Sequence, residues 1–263
     1  MSEFCTLDLK RHFDKKANYH THTTRCKHAN GTEREYIEKA IEAGYQVLGF
    51  SDHSPYIWDC EHISGIRMDM NQFEEYVTTI NALKSEYKND ILIYSGLEME
   101  YFPGLFDKTI DVFKQYPLDF LIQGQHCFTT EVGYQYVARD WTEESYLQTY
   151  LERIESALKT GLFLYVAHPD IINFAGDTKL FDKYMWKLAE LLKSYDKPIE
   201  LNVNGFRDNR HYPNRRFIEI GVKNGNDFIV GVDAHNPWEL LDFESFNGCV
   251  RLVTELGGRV INL

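Results

Sequence analysis

Residues 228–235 read FIVGVDAH, a run of apolar and β-branched residues that ends in an aspartate and a histidine. This composition is typical of a buried parallel strand, whose polar end lies where the chain leaves the sheet. The same pattern recurs along the chain. The other runs are residues 17–22, 47–53, 91–98, 120–126, 163–168 and 199–204, and a short final strand is expected near Val260.

Helical patterns fill the intervals between these runs. Thr32 to Glu35 reads T-x-x-E, which predicts a capping box at a helix start, and Gly44 is a suitable C-terminal stop for that helix. Further helices are predicted at residues 71–87, 143–160, 178–194 and 214–224. Repeated alternation of strand and helix indicates a parallel sheet. The simplest architecture is one α/β domain over residues 1–263 with a closed or nearly closed barrel, and a doubly wound open sheet is the alternative.

The overall composition limits the partners of this chain. Hydrophobic residues make up 43% of the 263 residues, which is typical of a globular protein. The formal net charge is −12, so the chain lacks the basic footprint of a nucleic-acid-binding protein, and an anionic membrane is not an expected partner. A phosphorylated substrate would be repelled unless bound cations reverse the local field.

The cysteines and the N-terminal segment indicate the compartment. The five cysteines are odd in number and include no C-x-x-C pair, so neither a disulfide framework nor a thiolate zinc site is expected. Residues 1–16 are polar and mixed in charge, unlike a signal peptide, and no apolar run approaches the ~18 residues of a membrane span. A reduced, cytoplasmic location is therefore expected.

Residues that bind metals follow six of the predicted strands. Barrel enzymes build their active sites at the C-terminal ends of the strands, so these side chains are expected to meet. Of the ten histidines, only His12, His62 and His211 lie away from these strand ends, which independent chance placement does not explain. The residues concerned are His20, His22, Asp52, His53, Glu98, His126, His168, Asp233 and His235.

The spacing of these residues supports a shared site. His20 and His22 are two residues apart on a predicted strand, so both face one side, and Asp233 and His235 repeat that spacing. His28 lies in the loop after the first strand and could fold back over the mouth, although a surface histidine is the plainer interpretation. Imidazole with carboxylate suits zinc, iron or manganese.

Three further residues have alternative interpretations. Asp52 is expected to orient His53 rather than bind metal itself. Arg207 follows the sixth strand and Arg67 follows the second, and each guanidinium could hold a phosphate with two hydrogen bonds. The alternative for both arginines is a solvated surface loop.

An ordered set of motifs resembles the polymerase and histidinol phosphatase (PHP) family over nearly the whole chain. Within that family, residues 68–76, 96–104 and 204–207 are similar to the monofunctional histidinol-phosphate phosphatases, with Glu100 where their pattern has aspartate. The motifs are His20-Thr21-His22, Ser51-Asp52-His53, Gly96-Leu97-Glu98, Ala167-His168-Pro169-Asp170 and Val232-Asp233-Ala234-His235.

The resemblance implies a distorted, TIM-barrel-like (β/α)7 barrel with three divalent metal ions, zinc, iron or manganese. It also assigns the ligands to the ions. The first set would be His20, His22, Glu98 and Asp233, the second Glu98, His126 and His168, and the third His28, His53 and His235.

The implied activity is hydrolysis of a small phosphate monoester, L-histidinol phosphate, to L-histidinol and inorganic phosphate in histidine biosynthesis. The hypothesis is that a hydroxide bridging two metals attacks phosphorus, with Arg207 and Arg67 holding the phosphate and Asp233 or His235 protonating the leaving oxygen. A cationic substrate would favour an acidic rim. Candidates for that rim are Glu61, Glu100 and Asp170.

Two other functions are compatible with the same residues. One is a phosphoesterase of this fold acting on nucleotides or nucleic-acid ends, which the acidic balance disfavours. The other is a metal-binding regulatory module without turnover, which the complete set of ligand residues disfavours.

Overall fold

The computed structural model describes residues 4–263. At its centre is an eight-stranded parallel sheet in which each strand pairs with the next one along the chain. The strands are β1 (Ala17–Asn18), β2 (Val47–Phe50), β3 (Leu92–Glu98), β4 (Phe120–Gln123), β5 (Phe163–Val166), β6 (Ile199–Asn202), β7 (Asp227–Gly231) and β8 (Arg259–Ile261).

Helices follow each of the first seven strands, which makes seven β/α units and one final strand. Consecutive strand order confirms the distorted barrel, because a doubly wound sheet would reverse its order at a switch point. The helices are α1 (Glu33–Glu42), α2 (Phe73–Glu86), α3 (Phe106–Phe113), α4 (Glu144–Lys159), α5 (Thr178–Ser194), α6 (Val203–Arg207), α7 (Arg215–Asn224) and α8 (Phe243–Thr254).

The two edges of the sheet meet differently at the two ends of the barrel. At the C-terminal end, the Ala234 carbonyl accepts from His22 N at 2.9 Å, and Ala234 N donates to the His20 carbonyl at 3.3 Å. At the opposite end, β8 lies between β7 and β1, and Ala17 N donates to the Asn262 carbonyl at 3.3 Å. The barrel is therefore distorted at its seam, where the first and seventh strands bring their histidines together.

The inside of the barrel has its own packing cluster, formed by strand residues and the N-terminal segment without any helix. Phe120 lies at its centre. A Cβ atom added to Gly96 would lie 2.4 Å from the Phe120 ring, so glycine is needed there to let the ring cross the barrel. The main core lies between the sheet and the surrounding helices.

Most predicted helices and strands are confirmed. The Thr32–Glu35 capping box is present, Gly44 follows the helix with φ of +76°, and α5 has the predicted limits. The final strand near Val260 is β8. Helices α3 and α8 were not predicted.

The predicted strands are too long at their C-terminal ends. Their last residues leave the ladder, and His168 and Asp233 adopt positive φ values that turn the chain there. The sixth run was wrong at its end, because Val203 already begins α6, with the Asn202 side chain accepting from Gly205 N at 2.8 Å. Arg207 is therefore the last residue of a short helix. Within residues 4–263, none of the helices combines the length and apolar character needed to cross a bilayer.

Candidate metal centre

The nine ligands expected from the sequence come together at the C-terminal end of the barrel. Glu98 is the last residue of β3, and the other eight follow strand ends. The ring contacts and short nitrogen–oxygen distances connect them into one cluster. Its members are His20, His22, His28, His53, Glu98, His126, His168, Asp233 and His235.

Glu98 is the centre of this cluster. Its side chain is 1% exposed, and a Cβ atom added to Gly124 would lie 1.8 Å from Glu98 Oε1, so only glycine leaves room for the carboxylate. Oε1 lies 2.9 Å from His168 Nε2 and 3.4 Å from His126 Nε2. Oε2 lies 3.0 Å from His53 Nδ1, 3.4 Å from His22 Nε2 and 3.5 Å from His20 Nε2.

Asp233 completes the deepest part of the site. Its Oδ1 lies 3.4 Å from His20 Nε2 and 3.2 Å from His22 Nε2. Its Oδ2 accepts from the side-chain amides of Asn202 and Asn204, both at 3.2 Å. Oδ1 thus joins the two histidines and Glu98 as a compact set of four donor atoms.

Several buried donor atoms of the cluster have no hydrogen-bond partner within the described residues. Buried polar atoms nearly always have a partner, so a group of unpaired ones at a single point indicates a missing ligand. Imidazole and carboxylate donors together suit divalent first-row metal ions. We conclude that the cluster binds divalent metal ions. The unpaired atoms include His20 Nε2, both ring nitrogens of His22, His53 Nδ1 and both carboxylate oxygens of Glu98.

The charges in this cluster are strongly coupled. Burial lowers the pKa of His20, but the carboxylates of Asp233, Glu200 and Glu98 outweigh it and hold that pKa well above its usual range. Burial raises the pKa of Asp233, but neighbouring histidines, His20 first, bring it well below its usual range. The carboxylates thus require nearby positive charge, which metal ions supply directly.

The second ring nitrogen of four histidines is held by an acceptor. This arrangement fixes the ring and leaves Nε2 free for a metal, as in many metal-binding sites. The four Nδ1 contacts are His20 to Glu200 Oε1 at 2.8 Å, His126 to Glu100 Oε1 at 3.0 Å, His28 to the Cys26 carbonyl at 2.6 Å and His235 to the Asp233 carbonyl at 3.0 Å.

Glu200 was missed in the sequence analysis. Its carboxylate holds His20 and also accepts from His168 N at 2.6 Å, so it positions ligands from two strands. A Cβ atom added to Gly231 would lie 2.0 Å from Glu200 Oε1. The available signal was a lone acidic residue inside the otherwise apolar start of the sixth run.

Arg67 does not lie where a phosphate-binding arginine would. It is 1% exposed, and its Nη1 and Nη2 donate to Glu100 at 3.1 and 3.0 Å while Nε donates to Glu131 at 2.8 Å. Nη1 also donates to the Ser54 carbonyl. This placement disagrees with direct substrate contact, because every nitrogen already has a protein acceptor. Arg67 instead supports Glu100, which holds His126.

Other expectations about carboxylates also change. Asp52 accepts from Thr23 N at 2.8 Å and Thr23 Oγ1 at 2.9 Å, so it holds the loop after β1 and does not orient His53 as predicted. Glu100 and Asp170 are buried, and Glu61 is exposed but does not line the site, so none of the three forms an acidic rim.

A cavity of about 460 Å³ lies over the metal ligands. Arg207 lines it, as predicted from its position after the sixth strand. Its Nη2 lies 2.8 Å from Asn204 Oδ1 and 2.9 Å from Glu239 Oε1, whereas its Nη1 is buried without a partner among the described residues. That nitrogen is available to an anion bound beside the metals.

Barrel and site together define a β/α-barrel protein with a histidine- and carboxylate-lined centre for divalent metal ions. The sequence model of the PHP domain matches residues 18–204. The chain belongs to the PHP family, which confirms the resemblance drawn from its motifs.

Relatives match the chain over nearly its full length. It is 28% identical to the probable histidinol-phosphatase of Deinococcus radiodurans, over 92% of this chain and 94% of that protein. It is 30% identical to the histidinol-phosphatase of Bacillus subtilis, over 86% of this chain and 95% of that protein. Among solved structures, the histidinol phosphate phosphatase of Lactococcus lactis, complexed with zinc, L-histidinol and phosphate, has the same fold. Its TM-score is 0.71 at 21% identity, covering 94% of this chain and 95% of that one.

Proposed function

We propose that this chain is a metal-dependent phosphatase that hydrolyses L-histidinol phosphate to L-histidinol and inorganic phosphate. The carrying observation is the cluster of nine ligand side chains around Glu98, with unpaired donor atoms, at the floor of a cavity that Arg207 also lines. Relatives named as histidinol-phosphatases match the chain nearly end to end, which supports this substrate.

Three metal ions are proposed, held by the three ligand sets. The first set has four donor atoms within 3.5 Å of their neighbours, and the second has Glu98 Oε1 beside two histidines. In the third set, His28 Nε2 lies 3.0 Å from His235 Nε2, and a donor atom of His53 lies within 4.8 Å of one on His235. Zinc, iron and manganese all suit such donors. Divalent ions bound there lower the pKa of coordinated water and neutralise charge on phosphoryl oxygens.

Arg207 is proposed to bind the phosphate. Asn204 and Glu239 hold one end of its guanidinium, and the unpaired Nη1 is left to donate to a phosphoryl oxygen. The guanidinium would thereby orient the ester and stabilise charge that develops on phosphorus during the reaction.

The proton for the leaving oxygen is proposed to come through His235. Both oxygens of Asp233 face other groups, Oδ1 the histidines of the first set and Oδ2 two amides. His235 is 20% exposed and lines the cavity, so it is the more accessible of the two candidates. Geometry therefore favours His235 as the residue that moves a proton to the departing alcohol.

The test is phosphate release from L-histidinol phosphate by protein of measured metal content. Parallel reactions contain other phosphate monoesters and a single-stranded oligonucleotide, with and without chelator. Chelator-sensitive release that favours L-histidinol phosphate supports the proposal. Preference for nucleotides or the oligonucleotide would redirect it to a nucleic-acid phosphoesterase, and absence of any release from metal-loaded protein would contradict an enzymatic role.

A further inference from the structure

The cavity has two walls of different chemistry. One wall, here the guanidinium wall, carries Arg207 and Arg210 from α6 and the turn after it. The other, here the Glu131 wall, carries Ile66 from the segment after β2 together with Glu131 and Tyr134 from the segment after β4. The metal ligands lie between the two walls on the cavity floor.

The Glu131 wall carries uncompensated negative charge. Glu131 Oε2 accepts from Arg67 Nε at 2.8 Å, while the other two nitrogens of that guanidinium serve Glu100. One buried cation thus supports two carboxylates, which leaves a net charge of about −1 when the nearby histidines are neutral. Glu100 is 1% exposed and faces His126. The excess charge that a ligand can reach is therefore on Glu131.

Glu131 is ionised at neutral pH. Partial burial raises its pKa, but the Arg67 charge and hydrogen bonds from Ser64 and Arg67 outweigh burial and hold the pKa below its usual range. Beside it, Ile66 and Tyr134 are 37% and 59% exposed, so a ligand on this wall would also cover apolar surface. Displacing water there strengthens a charge interaction with Glu131.

The guanidinium wall is electrically balanced. Arg207 lies 2.9 Å from Glu239, and Arg210 lies 2.7 Å from Asp208, so its two cations face two carboxylates. What it offers is the unpaired Nη1 of Arg207, a donor for a phosphoryl oxygen. The two walls therefore differ in kind, one with a free donor for an anion and one with a surplus carboxylate for a cation.

We infer that Glu131 is a specificity-determining residue that selects phosphate monoesters with a cationic leaving group. The inference rests on the proposed phosphatase function and extends it. The phosphate lies at the metals and Arg207, while the positively charged part of the alcohol lies against Glu131, with Ile66 and Tyr134 covering its apolar part. An ester with a neutral leaving group satisfies only the first half of the cavity.

The test compares two esters in four proteins of measured metal content. The esters are L-histidinol phosphate and p-nitrophenyl phosphate, and the proteins are wild type, Glu131→Gln, Glu131→Asp and Glu74→Gln. Glu74 lies on the exposed surface of α2, so its substitution removes the same charge elsewhere. Glu131→Gln is expected to raise KM for L-histidinol phosphate about tenfold, while the neutral ester changes less than about twofold. Glu131→Asp should restore most of the preference.

Product inhibition supplies a readout independent of turnover. The inhibition constant of L-histidinol, which has the cation without the phosphate, should rise about tenfold in Glu131→Gln, while that of inorganic phosphate should not change. Equal weakening of both products, or of both esters, would overturn the inference, because it would indicate general damage to the site.

A second comparison keeps the inference testable if Glu131→Gln fails to fold or loses metal. Wild type is then assayed with phosphoethanolamine and with neutral esters of similar size. No preference for the cationic ester would overturn the role of Glu131. If wild type prefers phosphoethanolamine but does not hydrolyse L-histidinol phosphate, the proposed substrate is wrong and the selection for cationic leaving groups stands.

Discussion

The first and third ligand sets differ in depth and in what holds them. His20, His22, Glu98 and Asp233 have side chains at most 8% exposed, and they lie where the first, third and seventh strands meet. In the third set, His28 is exposed and His235 is 20% exposed. His28 lies on a loop and has only a backbone carbonyl behind its ring.

This difference indicates two kinds of metal binding in one centre. The deep set is built by strand register, so its donor atoms are positioned before any ion arrives. The outer set depends on a loop that must hold His28 against His235. We therefore expect ions in the deep set to be retained and an ion in the outer set to exchange readily.

The largest expected effect comes from Glu98→Gln, which removes the carboxylate shared by the first two sets. Activity should fall roughly 10³-fold or more, well beyond the 10–100-fold typical for residues that only support a ligand. Elemental analysis should show loss of about two ions per chain. Glu74→Gln serves as the charge control. Wild-type metal content and turnover in Glu98→Gln would mean that the bridging assignment is wrong.

A smaller effect is expected from His28→Ala in the outer set. One ion should be lost, and activity should fall roughly 100-fold, because the two ions around Glu98 remain. Metal analysis beside kinetics distinguishes this from the Glu98 variant. Loss of all ions would contradict the proposed independence of the two sets, since it would show that the outer histidine also supports the deep one.

Both sets could be predicted from the sequence, but for different reasons. The His20–His22 and Asp233–His235 pairs follow from the period of a strand, and barrel topology then requires their ends to meet. His28 has no such constraint. Its turn over the mouth depends on Asp52 and the Thr23 backbone, a contact between two separate loops that no local pattern specifies.

The supporting residues were the part that the sequence did not reveal correctly. Arg67 was placed beside the phosphate because arginines often bind anions, whereas it lies buried between Glu100 and Glu131. Glu200 was not singled out at all. In each case the role is decided by which distant residue the side chain meets, and one sequence contains no information about that pairing except an acidic residue in a buried strand.

Glu200 and Glu100 offer a direct comparison of support for two parts of the centre. Glu200→Gln should weaken metal binding by the first set, since its carboxylate holds His20 and the His168 backbone. Glu100→Gln should weaken the second set through His126. Each affinity is expected to fall 10–100-fold, measured by competition with a chelator. If each variant lowered the affinity of every ion equally, the carboxylates would be supporting the fold and not individual ligands.

The smallest expected effect comes from Thr23→Val, in the loop that joins the deep His22 to the outer His28. The substitution keeps the shape of the side chain and removes the hydroxyl that donates to Asp52 at 2.9 Å. Because Asp52 keeps its bond from Thr23 N, the free energy of unfolding should fall by only about 1 kcal/mol. Urea unfolding measures this, with Thr254→Val on the exposed side of α8 as the matched control.

The same variant tests whether the loop carries the difference in depth. Loosening the loop should speed release of the outer ion to a chelator a few-fold and leave the slow release from the deep set unchanged. Equal acceleration of both phases would show that the loop holds the deep ligands as well. No acceleration of the fast phase, together with the loss of stability, would show that His28 is held by the Cys26 carbonyl and its own turn, independently of Asp52.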